Sequence, residues 1–138
     1  MASSDNLATI TGRTQRLLGL LIAQFLLGMG VNLIGQPGST LAKVTEGVFL
    51  ILHVLIAIGL VTLAVLTVRE AFKLGQQWPA FARIGAAGVG VAFIGGVGTM
   101  ASTGAISNWF SYLMSVGFIL AFAGFGYLYT QLRVAQAH

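Results

Sequence analysis

The sequence predicts an all-α integral membrane protein, a four-helix bundle made of two pseudo-repeated transmembrane hairpins with both termini in the cytoplasm. Three observations predict it. Only 7% of the 138 residues are charged while 57% are apolar, whereas a water-soluble domain carries about a quarter charged residues. Long intervals hold no charged side chain: Leu17 to Ala42, Gly47 to Val68, and Ile84 to Leu132. The basic residues also segregate. Arg13 and Arg16 precede the first interval, Arg69, Lys73 and Arg83 follow the second, and Arg133 follows the third, leaving Lys43 alone on the opposite side. An excess of Arg and Lys marks the cytoplasmic side.

Taken in order, residues 1–12 are small and polar and read as frayed or interfacial. The first helix is predicted over 17–35. Its apolar core is longer than a signal peptide's, and no clean small-x-small cleavage site follows, so it reads as a membrane helix. In the loop "QPGSTLAKVTE" (36–46), Pro37 and Gly38 stop the first helix and Thr45 is positioned to cap the second, over 47–68. The link "REAFKLGQQWPAFAR" mixes charges with Phe72, Trp78 and Phe81, aromatics suited to headgroup-level anchoring. The last interval holds two crossings, 84–101 and 109–130, joined by the polar break "MASTGAISNW". Trp109, Phe110 and Tyr112 at one end of the fourth helix, and Tyr127 and Tyr129 at the other, form similar belts. The whole chain, 1–138, reads as one domain.

Gly88, Ala92 and Gly96 recur at i, i+4, i+8 on the third helix, with Gly117 and Ala121 as a weaker counterpart on the fourth. Small-residue stripes let helices approach closely in lipid. This one serves either packing of the third helix on the fourth or a homodimer seam. An internal repeat is also visible: "QFLLGMG" (24–30) lies over "AFIGGVG" (92–98), with Phe25/Phe93, Gly28/Gly96 and Gly30/Gly98 identical. Aligning the partner helices from their outer ends sets His53 opposite Met114.

His53 interrupts the apolar run "LILHVLIAIG", and an ionisable residue inside a bilayer is a functional hypothesis by default. Counted at 1.5 Å per residue, His53 and Met114 both lie roughly 8–9 Å inside the outer boundary, with Met29 near the same level. Neutral imidazole and thioether are both ligands of haem iron. His53 and Met114 are therefore the candidate metal ligands and Gly28 and Gly96 the candidate clearance for a macrocycle. Gln24, Gly28 and Asn32 form a polar stripe on one face of the first helix, and Asn32, Gln36, Lys43 and Asn108 are the polar groups available to propionates. The competing reading has His53 hydrogen-bonded to Asn32 or to a backbone carbonyl, with Met114 as core filler.

The stretch "QFLLGMGVNLIG…LILHVLIAIGLVTLAVLTVREA" (24–71) resembles the helix pair of haem A synthase. Gln24, Leu27 and Gly28 match that family's Gln and Leu-Gly on the first helix of a pair, and His53 takes the place of its ligating histidine. The resemblance implies one four-helix half of that enzyme, haem held near the outer face, and a second ligand early in the fourth helix, where this chain has Met114. Helices 3 and 4 are covered only through the internal repeat. Val54 stands where some members carry an arginine, there is no cysteine pair, and the chain has half the enzyme's length. These departures weigh against the family's oxidoreductase catalysis more than against haem binding.

The expectation is a b-type haem-binding protein of a prokaryotic plasma membrane, serving electron transfer or as an accessory subunit of a redox complex, as a homodimer or within a larger membrane assembly. The alternatives are a cofactor-free structural or assembly subunit and, third, a small transporter, which lacks a carboxylate at mid-depth. Six cationic residues divided among three segments form no nucleic-acid stripe, the absence of cysteine excludes thiolate sites, and no hydrolase spacing is present.

Overall fold

A computed structural model describes residues 4–34, 38–75 and 78–137. They form α1 (Ser4–Ile34), α2 (Thr40–Leu74), α3 (Trp78–Ala101) and α4 (Gly104–Gln136). Each helix is long and apolar enough to cross a membrane, with candidate spans of 27, 35, 24 and 33 residues. In length and composition this is a multi-pass integral membrane protein. Helices suit that solvent because they satisfy their backbone groups internally.

All four helices run past the apolar intervals, and the reasons are local. Residues 4–12, expected to be frayed or interfacial, form the first turns of α1, and Ile10 is buried in the core. Thr11 and Thr14 donate to the Leu7 and Ile10 carbonyls at 2.7 and 2.8 Å, so their hydroxyls enter the interior already paired. The cap of α2 is Ser39, not Thr45. Ser39 Oγ accepts from the Ala42 N–H at 3.2 Å, while Thr45, already inside the helix, donates to the Leu41 carbonyl. The polar break between α3 and α4 shrinks to Ser102 and Thr103. Gly104 opens α4 at φ 63, a left-handed conformation suited to glycine. Pro37 lies outside the described residues, so its role as a stop does too.

The helices form a ring in which α1 neighbours α2 and α4, and α3 neighbours α2 and α4. Among the described residues, the Cα atoms of the diagonal pairs, α1 with α3 and α2 with α4, stay more than 8 Å apart. Neighbours are antiparallel: Arg13 of α1 reaches Leu66 and Glu70 of α2, while Gln24 reaches His53. The start of α1, the end of α4 and the α2–α3 link therefore share one end, here the basic end. The two remaining connections lie at the far end.

α3 and α4 pack most tightly. A methyl built on Gly88 would lie 2.7 Å from the Gly117 carbonyl oxygen, and one on Gly95 2.8 Å from that of Phe110. The small-residue stripe of α3 is thus spent on α4 within the chain. Its register differs from the predicted one, because Gly95, not Gly96, faces the α4 backbone.

The core fills only the half nearer the basic end. Leu17, Leu21, Leu60, Ala64, Thr67, Ala82, Val89, Ala121, Phe125, Leu128 and Leu132 are buried there. Towards the far end from Leu21, Leu60, Val89 and Ala121, the buried positions among the described residues are Gly95 and Gly117. The same interior stripes continue through Gln24 and Gly28, His53, Ala92 and Gly96, and Phe118 and Met114, but those positions are only half-buried.

Candidate functional site

The site lies on the half-buried stretch of the interior stripes. His53 is one heptad before the buried Leu60 on α2, and Met114 one heptad before the buried Ala121 on α4. Helical periodicity therefore brings both onto the bundle-facing side. Their helices are diagonal partners in the ring.

Each donor sits over a glycine of its own hairpin. The imaginary Cβ of Gly28 would lie 3.2 Å from the His53 Cε1 and 3.6 Å from its Nδ1, and that of Gly96 would lie 3.7 Å from the Met114 Sδ. Two further pairs repeat the arrangement nearer the far end. Gly30 faces the Phe49 ring with the same imaginary Cβ at 2.7 Å, and Gly98 faces the Phe110 ring. The alignment that sets His53 over Met114 also sets Phe49 over Phe110, so the repeat itself carries the signal for these two phenylalanines, whose rings offer no metal donor.

His53 is hydrogen-bonded to Gln24, with Gln24 Nε2 and His53 Nε2 3.0 Å apart, and the expected partner Asn32 has its side chain outside the described residues. With the amide donating, the imidazole carries its proton on Nδ1. Among the described residues, both Nδ1 and Gln24 Oε1 are then buried without a partner. Turning the amide end for end exchanges two atoms of nearly the same size. Oε1 then accepts from Nε2–H, and Nδ1 has a free lone pair. In either arrangement two buried polar atoms are left over, and leaving a buried group unpaired costs about 1–3 kcal/mol. The second arrangement is the usual outer-sphere pattern of a ligating histidine, whose other ring nitrogen donates to a side-chain or backbone oxygen.

Gln24, Gly28 and His53 therefore come together on one hairpin, and Gly96 and Met114 on the other. Met29 and Met100 do not join them, being 44% and 64% exposed. The side chain of Asn32 and the whole of Gln36 lie outside the described residues. Lys43 is exposed, and Asn108 lines a hollow of about 400 Å³ with Trp109 and Tyr112. Beside the site, Phe25 of α1 stacks on Phe118 of α4 with ring centroids 5.1 Å apart, and Phe118 on Phe122 at 6.1 Å. Among the described residues, no group of three or more His, Cys, Asp or Glu side chains is placed to hold a metal ion. No family model, curated protein or solved structure matches this chain.

Proposed function

We infer that the chain is a membrane-embedded b-type haem protein in which His53 and Met114 would hold the haem, with a role in electron transfer or as an accessory subunit of a redox complex. One observation carries the reading. An imidazole and a thioether stand on diagonal helices, each over a glycine, where the interior stripes change from filled to half-open. The residues fit haem in donor type and in the unpartnered Nδ1 and Oε1 atoms that mark a polar node left incomplete, whereas the space over Gly28 and Gly96, expected as clearance for the macrocycle, is taken up by the His53 and Met114 side chains themselves. Bound there, haem would supply one-electron exchange. His53 and Met114 would hold it, and Gln24 would orient the imidazole and fix its tautomer. A His/Met pair favours a higher potential than bis-His. Leu, Ile and Phe side chains on the surrounding helices would lie against the bound group and exclude water.

The finer topology belongs to the same proposal. The four matched glycine contacts, Gly28–His53 with Gly96–Met114 and Gly30–Phe49 with Gly98–Phe110, support duplication of a two-helix hairpin. The segregated arginines support cytoplasmic termini, and a prokaryotic plasma membrane is the expected location. A homodimer or a larger membrane complex is the expected assembly.

A reduced-minus-oxidised spectrum of the protein purified after expression with haem supplied tests the assignment. A Soret band is expected. His53→Ala is expected to abolish it, and Met114→Ala to shift it towards high spin with binding largely retained. No band in the wild type would end the proposal in favour of the second reading, a cofactor-free assembly subunit. That reading is favoured by the Gln24–His53 bond, which occupies one ring nitrogen without any ligand.

A further inference from the structure

The basic end carries a second feature that the haem reading does not use. Where α2 ends and α3 begins, Phe72, Gly75, Pro79, Ala80 and Arg83 line a hollow of about 370 Å³. The Arg83 guanidinium lies over the Phe72 ring, 4.6 Å from its centroid, which holds the charge beside the hollow. Among the described residues no carboxylate lies within salt-bridge distance of Arg83. The nearby acid, Glu70, is engaged by Lys73 at 3.0 Å and by Arg13 at 3.9 Å.

The surroundings restrict what would complete that charge. The basic end carries Arg13, Arg16, Arg69, Lys73, Arg83 and Arg133 against Asp5 and Glu70, so the complementary ligand is an anion. The hollow lies where the polar link meets the apolar span, and its lining residue Phe72 is 53% exposed, giving an acyl chain an apolar wall. Gly75, at φ 122, leaves one side open, and a side chain there would be strained. An anion with an apolar tail meets both requirements. We propose that this hollow binds the phosphate of an anionic phospholipid, with Arg83 as its counter-charge and Phe72 as the platform that orients Arg83.

Native mass spectrometry of the whole protein, released from mild detergent containing equal phosphatidylglycerol and phosphatidylcholine, tests this. The wild type is expected to retain phosphatidylglycerol selectively. Arg83→Gln is expected to cut that retention about fivefold, the usual worth of one basic residue at a membrane surface. Arg133→Gln removes the same charge from the same end and is expected to leave the retention unchanged. Ala80→Leu fills the hollow without altering charge and is expected to lower retention as well, so the proposal does not depend on one variant folding. Circular dichroism checks helix content in each. Equal behaviour of Arg83→Gln and Arg133→Gln, or full retention by Ala80→Leu, would overturn the assignment. So would displacement of the lipid by equimolar glycerol phosphate, since the occupant would then be a soluble phosphate.

Discussion

Along α3 and α4, a methyl placed on Gly88, Gly95, Gly117 or Gly124 would run into the main chain of the opposite helix, whereas along α1 and α2 a methyl on Gly28 or Gly30 would meet only the His53 imidazole or the Phe49 ring. The two hairpins thus close by different means. Main chain against main chain leaves nothing to adjust, because neither partner has a rotamer to change. A ring against a glycine keeps torsional freedom. The polar node built by Gln24 and His53 lies in the hairpin closed by side chains, where the imidazole bonds the amide of α1. The second hairpin is the closely packed wall beside it.

The largest expected effect breaks that wall. Gly88→Leu forces α3 from the Gly117 and Ala121 backbone and is expected to cost about 3 kcal/mol or more, the upper range for overpacking. Thermal unfolding in detergent, followed by circular dichroism, reads it. A loss no greater than that of Gly28→Leu would erase the distinction between the hairpins. Next comes Gly30→Ala, whose methyl must push the Phe49 ring aside. About 1–2 kcal/mol is expected, and Phe49→Leu should recover most of it, because the obstruction is a movable side chain. Failure of that rescue would mean the α1–α2 backbones, not the ring, set the spacing.

The four spans and the Gly88–Ala92 face of α3 are legible in the sequence because lipid demands long apolar helices and close packing demands small residues. The start of α1 is not. Thr11 and Thr14 look like interfacial polarity until each hydroxyl is seen bonded to the carbonyl one turn back. The partner of His53 escapes the sequence for a related reason. Depth counted from the apolar boundary puts the start of the second helix near Gly47, but α2 begins at Thr40 and α1 ends at Ile34. Level with His53 on α1 are therefore Gln24 and Gly28, about one turn below Met29 and Asn32. The Gly95-for-Gly96 register follows from heptad-like packing of α3 on α4, which the i, i+4, i+8 count does not describe.

A third, smaller effect sharpens the view of the hairpin closed by side chains. Gln24→Leu leaves His53 Nε2 without its partner, and a double-mutant cycle with His53→Leu measures the coupling. Interhelical hydrogen bonds in membranes average about 0.6 kcal/mol and reach about 1.7, and a value in that interval is expected. Zero coupling would show that the amide and the imidazole do not hold each other in the membrane, and Gln24 would lose its orienting role.

The smallest expected effect lies at the other end of the same hairpin, where charges join α1 to α2. Arg13 is 3.9 Å from Glu70 and 3.4 Å from the Leu66 carbonyl, and both charged side chains are partly exposed, at 24% and 31%. Lys73 competes for Glu70 at 3.0 Å, so removing one cation leaves the carboxylate paired. Arg13→Gln is therefore expected to cost less than about 1 kcal/mol, the range of exposed ion pairs. The difference from wild type should shrink as salt is raised from low to physiological strength, where charges about 8 Å apart are screened. Gly88→Leu, whose cost is steric, should show no such salt dependence. An Arg13→Gln loss that persists unchanged in high salt would mean that Arg13 acts through the Leu66 carbonyl and its apolar stem rather than through charge. The α1–α2 seam would then resemble the α3–α4 seam more closely than their glycines suggest.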